Sequence, residues 1–393
     1  MYLLEYGGED DAFAAVESRH AATGVTRIAP GLAVANALVP ERVRGLAYTR
    51  AASDLVGRTD ASTASARALL EAASIDREGT VAVRATDVHG SSGVSTTDAE
   101  RELGSVLVDR GFDVDLEHPD HVLRAVFSEG RLESDADADA NADDGRGELL
   151  ESVATVETEE RVGESGERID EARGRNDETG ERVDESGERV SVCALGWLAA
   201  ESVRDFGSRA PTDKPFFQPG SMDPLLARAV ANLAGAEPGR TILDPMCGTG
   251  GVLVEAGLVG ANVVGTDAQA KMVAGARTNL AHFLDDEDPS PTGVSRGSWH
   301  VARGDGTRLP LQDGAVDAVV FDAPYGRQSK IETHRLADLV SGALAESRRV
   351  ADRAVVVADR SWAREARDAG WTLEAAFERR VHRSLTRYVL VLS

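Results

Sequence analysis

Four short clusters carry residue types suited to chemistry, and they follow one another along the second half of this 393-residue chain. The last is Val319-Val320-Phe321-Asp322-Ala323-Pro324-Tyr325-Gly326. An apolar run delivers a carboxylate, a proline-stiffened turn and an aromatic ring to the end of a strand. An exocyclic amino group needs such a partner. Asp322 and the Ala323 carbonyl accept its two N–H bonds and aim the nitrogen lone pair at a methyl donor, and Tyr325 can stack on the base. The plain alternative is a β-turn with Pro324 at its corner.

The other three clusters suit a ligand rather than a reaction. In Leu243-Asp244-Pro245-Met246-Cys247-Gly248-Thr249-Gly250-Gly251, Gly248 and Gly250 permit a tight turn and a close backbone approach. The spacing is neither GxGxxG nor a P-loop, so phosphate cradling is not indicated. Asp267 ends the run NVVGTD, where a carboxylate can accept ribose hydroxyls or cap the next helix. Asp305, in Gly304-Asp305-Gly306, can accept an adenine amino group or simply form a turn.

The elements that must position these residues alternate. TILDP, NVVGTD, WHVARGD, AVDAVVFDAP and AVVVAD read as strands, with helical runs between them. That pattern predicts an α/β fold with a doubly wound, mostly parallel sheet, and ligands at the strands' carboxyl ends. TLEAAFERRV and RYVLVLS predict a terminal antiparallel hairpin. The first half reads as α+β. Strands are expected at Tyr2–Tyr6, Gly45–Arg50, Thr80–Ala85, Phe112–Leu116, 122–128 and 190–198, with helices at Asp11–Ala21, Ala61–Ala73 and Asp98–Arg110. No catalytic cluster appears in that half.

Between the last two of those strands lies an acidic insertion, 133–189, with 21 acidic and 7 basic residues. It contains DADADANADD and a degenerate seven-residue repeat from Thr158. A coiled-coil seam needs two apolar positions per heptad, and these units offer at most one, so disorder is expected. The insertion supplies much of the net charge of −24. Only three lysines (Lys214, Lys271, Lys330) occur among 43 basic residues, a surface suited to concentrated salt or a product of Arg-rich codons. The two cysteines, Cys193 and Cys247, are too few for a disulfide framework or a cysteine-rich zinc site and read as buried small residues. No apolar run spans a membrane and no secretory leader is visible, so a cytoplasmic, metal-free monomer is expected.

Taken together, the clusters resemble class I S-adenosylmethionine-dependent methyltransferases of the amino-methylating type. Asp322-Ala323-Pro324-Tyr325 is similar to their [DN]-P-P-[YFW] motif, with Ala323 departing from it. A narrower resemblance joins Lys214-Pro215-Phe216-Phe217-Gln218-Pro219-Gly220-Ser221-Met222, Leu225-Leu226-Ala227-Arg228 and the ending Val381–Arg387 to archaeal tRNA (guanine-N2) methyltransferases acting on guanine 10. VDLEHPDHVLRAVFS and VSVCALGW resemble the core of a THUMP RNA-binding domain. The resemblance implies a ferredoxin-like domain (1–65), a THUMP domain (66–210) and a methyltransferase domain (211–393) with a seven-stranded sheet. It implies a cofactor pocket of Phe217, Pro219, Ser221, Met222, Asp244, Pro245, Gly248, Gly250, Asp267 and Asp305, and a base site of Asp322, Ala323, Pro324 and Tyr325. S-adenosylmethionine is the implied cofactor and tRNA the implied partner.

Guanine 10 lies in paired RNA, so base flipping into the Tyr325 site is expected. Arg204, Arg209, Lys214, Arg327, Lys330, Arg383 and Arg387 are the candidate RNA contacts, each equally readable as a solvated or ion-paired residue. Rival readings are methylation of another tRNA or rRNA guanine, a DNA amino-methyltransferase, and a non-catalytic RNA-binding protein.

Overall fold

A computed structural model describes residues 1–8, 10–132, 188–286, 288–324, 333–382 and 385–393. Tyr325, Arg327, Lys330 and Arg383 lie outside the described residues, as does the insertion from 133 to 187.

In the first half, β1 (Tyr2–Tyr6), β2 (Ala22–Thr23), β3 (Thr26–Ala29), β4 (Leu32–Ala35), β5 (Ala37–Leu38), β6 (Thr49–Thr59), β7 (Thr80–Asp87), β8 (Asp113–Val114), β9 (His121–Leu132) and β10 (Glu188–Glu201) alternate with α1 (Asp11–Ser18), α2 (Pro40–Val43), α3 (Thr63–Ala72) and α4 (Thr96–Asp109). Eight of these strands form one sheet in the order β3-β4-β1-β6-β10-β9-β7-β8, so strands from both sides of residue 65 share it. Helices α3 and α4 cover one face through Ala66, Leu70, Leu103 and Leu107, packed on Val81, Leu123 and Phe127.

Several boundaries differ from expectation. The strand expected at Gly45–Arg50 begins at Thr49 and runs to Thr59, while Gly45 turns out of α2. Helix α1 stops at Ser18, whose hydroxyl bonds back to the Ala15 carbonyl. Glu188 and Arg189, expected in the insertion, begin β10 opposite Leu132 and Arg131. The insertion therefore joins the ends of two antiparallel neighbours.

The second half contains β11 (Thr241–Asp244), β12 (Asn262–Asp267), β13 (Trp299–Arg303), β14 (Ala318–Asp322), β15 (Ala354–Ala358), β16 (Leu373–His382) and β17 (Leu385–Leu392). Its helices are α5 (Pro224–Leu233), α6 (Gly251–Leu258), α7 (Ala270–Leu284), α8 (Thr333–Val350) and α9 (Ala363–Asp368). The sheet order is β13-β12-β11-β14-β15-β17-β16. Strands β11 to β15 pair in parallel, and β17 inserts antiparallel between β15 and β16, as the terminal hairpin predicts. Burial on both faces explains why AVVF and AVVVA read as unbroken apolar runs. The chain order reverses between β11 and β14, which places the ligand crevice of a doubly wound fold there.

The two halves share one core. Leu4, Phe13 and Tyr48 pack in the same apolar cluster as Met222, Leu226, Val230 and Phe377. Phe13 meets Tyr48 and Phe377 edge-on, with ring centroids 5.1 and 5.0 Å apart. Arg379 closes the seam by donating to Asp10 at 2.9 Å and to the Tyr48 hydroxyl at 3.0 Å. Among the described residues no helix is long and apolar enough to cross a membrane.

Candidate active site

Strands β11, β12 and β14 end on Asp244, Asp267 and Asp322, so three carboxylates sit at one sheet edge. The loop after β11 turns through Gly248 (φ +50°) and Gly250 (φ +75°), left-handed conformations that glycine alone adopts without strain. The loop is stitched to β12. Cys247 N–H donates to the Thr266 carbonyl at 2.9 Å, and the Thr266 hydroxyl donates to the Pro245 carbonyl at 3.0 Å.

Asp244 is buried and accepts the Met246 N–H at 3.0 Å. Burial raises its carboxyl well above the usual range, opposed by that hydrogen bond and reinforced by the charges of Asp267 and Asp322. Asp267 serves two neighbours: Oδ2 accepts Gly248 N–H at 3.1 Å and Oδ1 accepts Gln269 N–H at 2.8 Å. The capping geometry and the ligand-facing loop therefore meet on one side chain.

The segment before α5 folds over this loop. Asn279 on α7, fully buried, accepts from Phe216 N–H at 2.9 Å and donates to the carbonyls of Phe216 and Thr249 at 3.0 and 2.9 Å. It clamps two sequence-distant segments, and the sequence reading missed it. The signal was a polar residue on an otherwise apolar helix face. The Phe216 ring occupies the space where a side chain at Gly275 would stand, 2.0 Å from a Cβ there. Ser221 donates to the Gln218 carbonyl at 2.7 Å and lies 3.3 Å from the Thr249 hydroxyl.

These pieces enclose a cavity of about 170 Å³ lined by Pro219, Ser221, Met222, Asp244, Gly248 and Asp322, among others. Of the remaining expected cofactor residues, Pro245 is buried within the loop, Gly250 caps the start of α6 and Asp267 braces the loop. Phe217 does not line the cavity and is 44% exposed. Asp305 is exposed and closes its own turn, accepting from the Thr307 N–H at 2.9 Å and hydroxyl at 2.8 Å, bonds that hold its carboxyl below the usual range. That turn nonetheless abuts the loop, because a Cβ at Gly306 would lie 3.2 Å from the Pro245 carbonyl oxygen.

At the base side, Ala323 N–H donates to the Val357 carbonyl at 2.7 Å, and Ala323 is buried. A proline here, as in the resembling motif, would lack that donor. Pro324 is half-buried. Asp322 faces Arg387 Nη2 at 3.9 Å.

Of the candidate RNA-contacting cations that the structure describes, Arg209, Lys214 and Arg387 turn inward, whereas Arg204 stays exposed. Arg209 pairs with Glu255 and Asp205, both at 2.7 Å, and Arg228 joins Glu255 at 2.8 Å. Arg204 donates to the Ala47 carbonyl and lies over the Phe206 ring. Lys214 is buried, and desolvation lowers its ammonium from the ordinary value. Arg387 is buried beside Asp322. A charge next to an apolar pattern does not reveal from sequence which way its side chain points. Both cysteines are free and buried, and burial pushes the Cys193 thiol up to about 12. Among the described residues no group of three or more His, Cys, Asp or Glu could hold a metal ion. A larger cavity, about 520 Å³, lies between β7, β8 and α4 and contains none of these residues.

Residues 211–389 match the UPF0020 family model, described as RMKL-like, methyltransferase domain. The chain is 38% identical over 202 residues to the tRNA (guanine(10)-N2)-dimethyltransferase of Methanothermobacter thermautotrophicus, covering 50% of this chain and 56% of that protein. It is 33% identical over 194 residues to the Pyrococcus abyssi protein of the same name, covering 48% and 55%. The Saccharomyces cerevisiae tRNA (guanine(10)-N(2))-methyltransferase is 32% identical over 123 residues, covering 30% and 27%. The aligned region thus spans about half the length of the two archaeal relatives.

Proposed function

We propose that this chain transfers a methyl group from S-adenosylmethionine to the exocyclic N2 amino group of guanine 10 in tRNA, giving N2-methylguanosine and then N2,N2-dimethylguanosine. The observation that carries the reading is that Asp322 opens into the same cavity as Asp244, Gly248 and Ser221. A carboxylate suited to an amino group and a loop suited to a cofactor thus share one space. The names of the similar proteins support the substrate.

Two features of these residues suit the cofactor. Three carboxylates at one edge favour a cationic ligand, and the left-handed glycines leave room for it against the backbone. Pro219, Ser221, Met222, Asp244, Gly248 and Gly250 would hold it, with Pro245, Asp267 and the Asp305 turn behind them and Phe217 at the margin. When bound, it supplies an electrophilic methyl on sulfur. Asp322 and the Ala323 carbonyl accept the amino hydrogens and fix the lone pair in line with that methyl, which is catalysis by position. As the nitrogen–carbon bond forms and the sulfur–carbon bond breaks, the nitrogen loses one proton, and Asp322 is the acceptor at hand. Pro324 stiffens the turn, and Tyr325 is assigned the stacked base.

The same reading assigns 1–65 and 66–210 to ferredoxin-like and THUMP modules that act as one RNA-binding half, and 211–393 to catalysis, in the cytoplasm. The single sheet over the first half supports treating those modules as one body. Exposed Arg303, which ends β13, and exposed Arg308 and Arg360, which follow β13 and β15, take the place of the buried Arg209 and Arg387 as phosphate contacts at the carboxyl edge. The test is methyl transfer to unmodified host tRNA at high salt, read by nucleoside mass spectrometry. Methylated guanosine that disappears when guanine 10 is replaced is expected. Methyl on adenine or cytosine overturns the substrate, and no heat of S-adenosylmethionine binding overturns the enzyme.

A further inference from the structure

Arg387 stands two strands away from Asp322, yet the sheet register brings them to one face. Asp322 is the partner of Val357 on β15, and Val357 is the partner of Val389 on β17. Arg387 precedes Val389 by two positions, so its side chain leaves the same face. Its guanidinium reaches over β15 to within 3.9 Å of the Asp322 carboxylate. The side chain is 5% exposed, whereas that of Asp322 is 24% exposed. The next two positions on this face, Val389 and Val391, are core aliphatics. A guanidinium in such a row is costly unless a charge meets it, and arginine is seldom this buried without a partner.

The charges around Asp322 show what the arginine opposes. From β11, Asp244 is close enough for the charge of Asp322 to disturb it, and Asp267 on β12 adds to the same negative field. From β15, the register partner is the neutral Val357, and beyond the strand end Asp359 and Arg360 are exposed. Arg379 on β16, the register partner of Arg387, is engaged by Asp10 and Tyr48. Among the described residues, Arg387 is thus the cation built into the sheet on the side of Asp322 away from the other two carboxylates.

We propose that Arg387 is a positioning residue for the methyl transfer. Its guanidinium holds the Asp322 carboxylate ionised and fixed in direction, so that the carboxylate accepts the substrate amino hydrogens. Nothing is transferred to Arg387, which stays charged throughout. This inference rests on the function proposed above for Asp322.

The test uses the full chain with Arg387→Met, Arg387→Gln and Arg387→Lys. The neutral variants are expected to lower kcat about 100-fold, the scale of one lost charge-stabilising donor, with S-adenosylmethionine affinity unchanged in calorimetry. The acid limb of their kcat profile should move up by about one pH unit or more, as loss of a facing cation dictates, and the Lys variant should restore most of both. Carbon-13 NMR of labelled aspartate, with Asp322 assigned through Asp322→Asn, reads the same titration without substrate. An Asp322 titration that is the same in wild type and in whichever neutral variant folds overturns the proposal. So does a Lys variant that shifts as far as the neutral ones. A wild type that methylates nothing overturns the proposed function, while the NMR titration still decides the Arg387–Asp322 coupling.

Discussion

Asp267 Oδ2 accepts the Gly248 backbone N–H at 3.1 Å, tying the end of β12 to the glycine turn that follows β11. Its other oxygen holds Gln269 at the start of α7. One carboxylate thus shapes the loop and starts a helix, and its two oxygens have acceptor capacity beyond those two bonds.

Asp267→Ala is therefore expected to weaken S-adenosylmethionine binding about 10–100-fold, the loss appropriate to one or two hydrogen bonds to a charged group. Calorimetric titration checks this. Unchanged affinity would confine Asp267 to a capping role.

Asp244 gives a pH dependence of stability. Its folded-state carboxyl is raised, so the folded protein binds that proton more tightly than the unfolded chain does. The stabilisation is fully present below the ordinary carboxylate value and is lost as pH rises through the raised one. Asp244→Asn keeps an acceptor for Met246 N–H and removes the charge. Its Tm advantage over wild type, measured without cofactor, should grow from acid to neutral pH; a constant difference contradicts the assignment.

Glu17 joins the halves. It is fully buried and accepts from Ala47 N–H at 2.6 Å, Tyr48 N–H at 2.7 Å and the Asn232 amide of α5 at 2.6 Å. Glu17→Ala leaves three donors unmet and should cost about 3 kcal/mol or more. Because the core is shared, calorimetry should show one unfolding transition in the wild type. Two separated transitions would show that the halves are independent.

Ala323→Pro restores the resembling motif but removes the bond to Val357, leaving a buried carbonyl without that partner. A loss of about 1–3 kcal/mol in denaturant unfolding is expected. An equally stable variant would show that the loop rearranges around proline.

Leu132 pairs with Glu188 across an antiparallel hairpin. Replacing 133–187 by Asn-Gly should therefore preserve the sheet, Tm and methyl transfer, since a two-residue turn closes such a pair. A collapse of activity with the fold intact would give the insertion a role in catalysis.

Much of the site was legible because each carboxylate closes an apolar strand, and strand ends can be read locally. Pro219, Ser221, Met222, Asp244, Gly248 and Asp322 do line one cavity. The inward path of Arg387 was also latent in the sequence: Arg387, Val389 and Val391 share the period-two face of RYVLVL. Both faces of that strand are apolar, so the pattern alone did not say which one met Asp322. The strands at Thr26–Ala29 and Leu32–Ala35 went unread because each is only four residues long and, unlike the equally short β11, ends on no chemistry-bearing cluster that marks it.

The sequence by itself determined the α/β alternation, the order of the strand-end carboxylates, the positions of the turn glycines and the terminal hairpin. These follow from local burial period and backbone preference. Strand order and packing alone set β14 beside β11, Asn279 across two distant segments, Glu17 between the halves, and Arg387 buried beside Asp322 instead of facing solvent. Those relationships depend on strand order, register and shared packing, which join residues far apart in the chain and leave no period in the sequence between them.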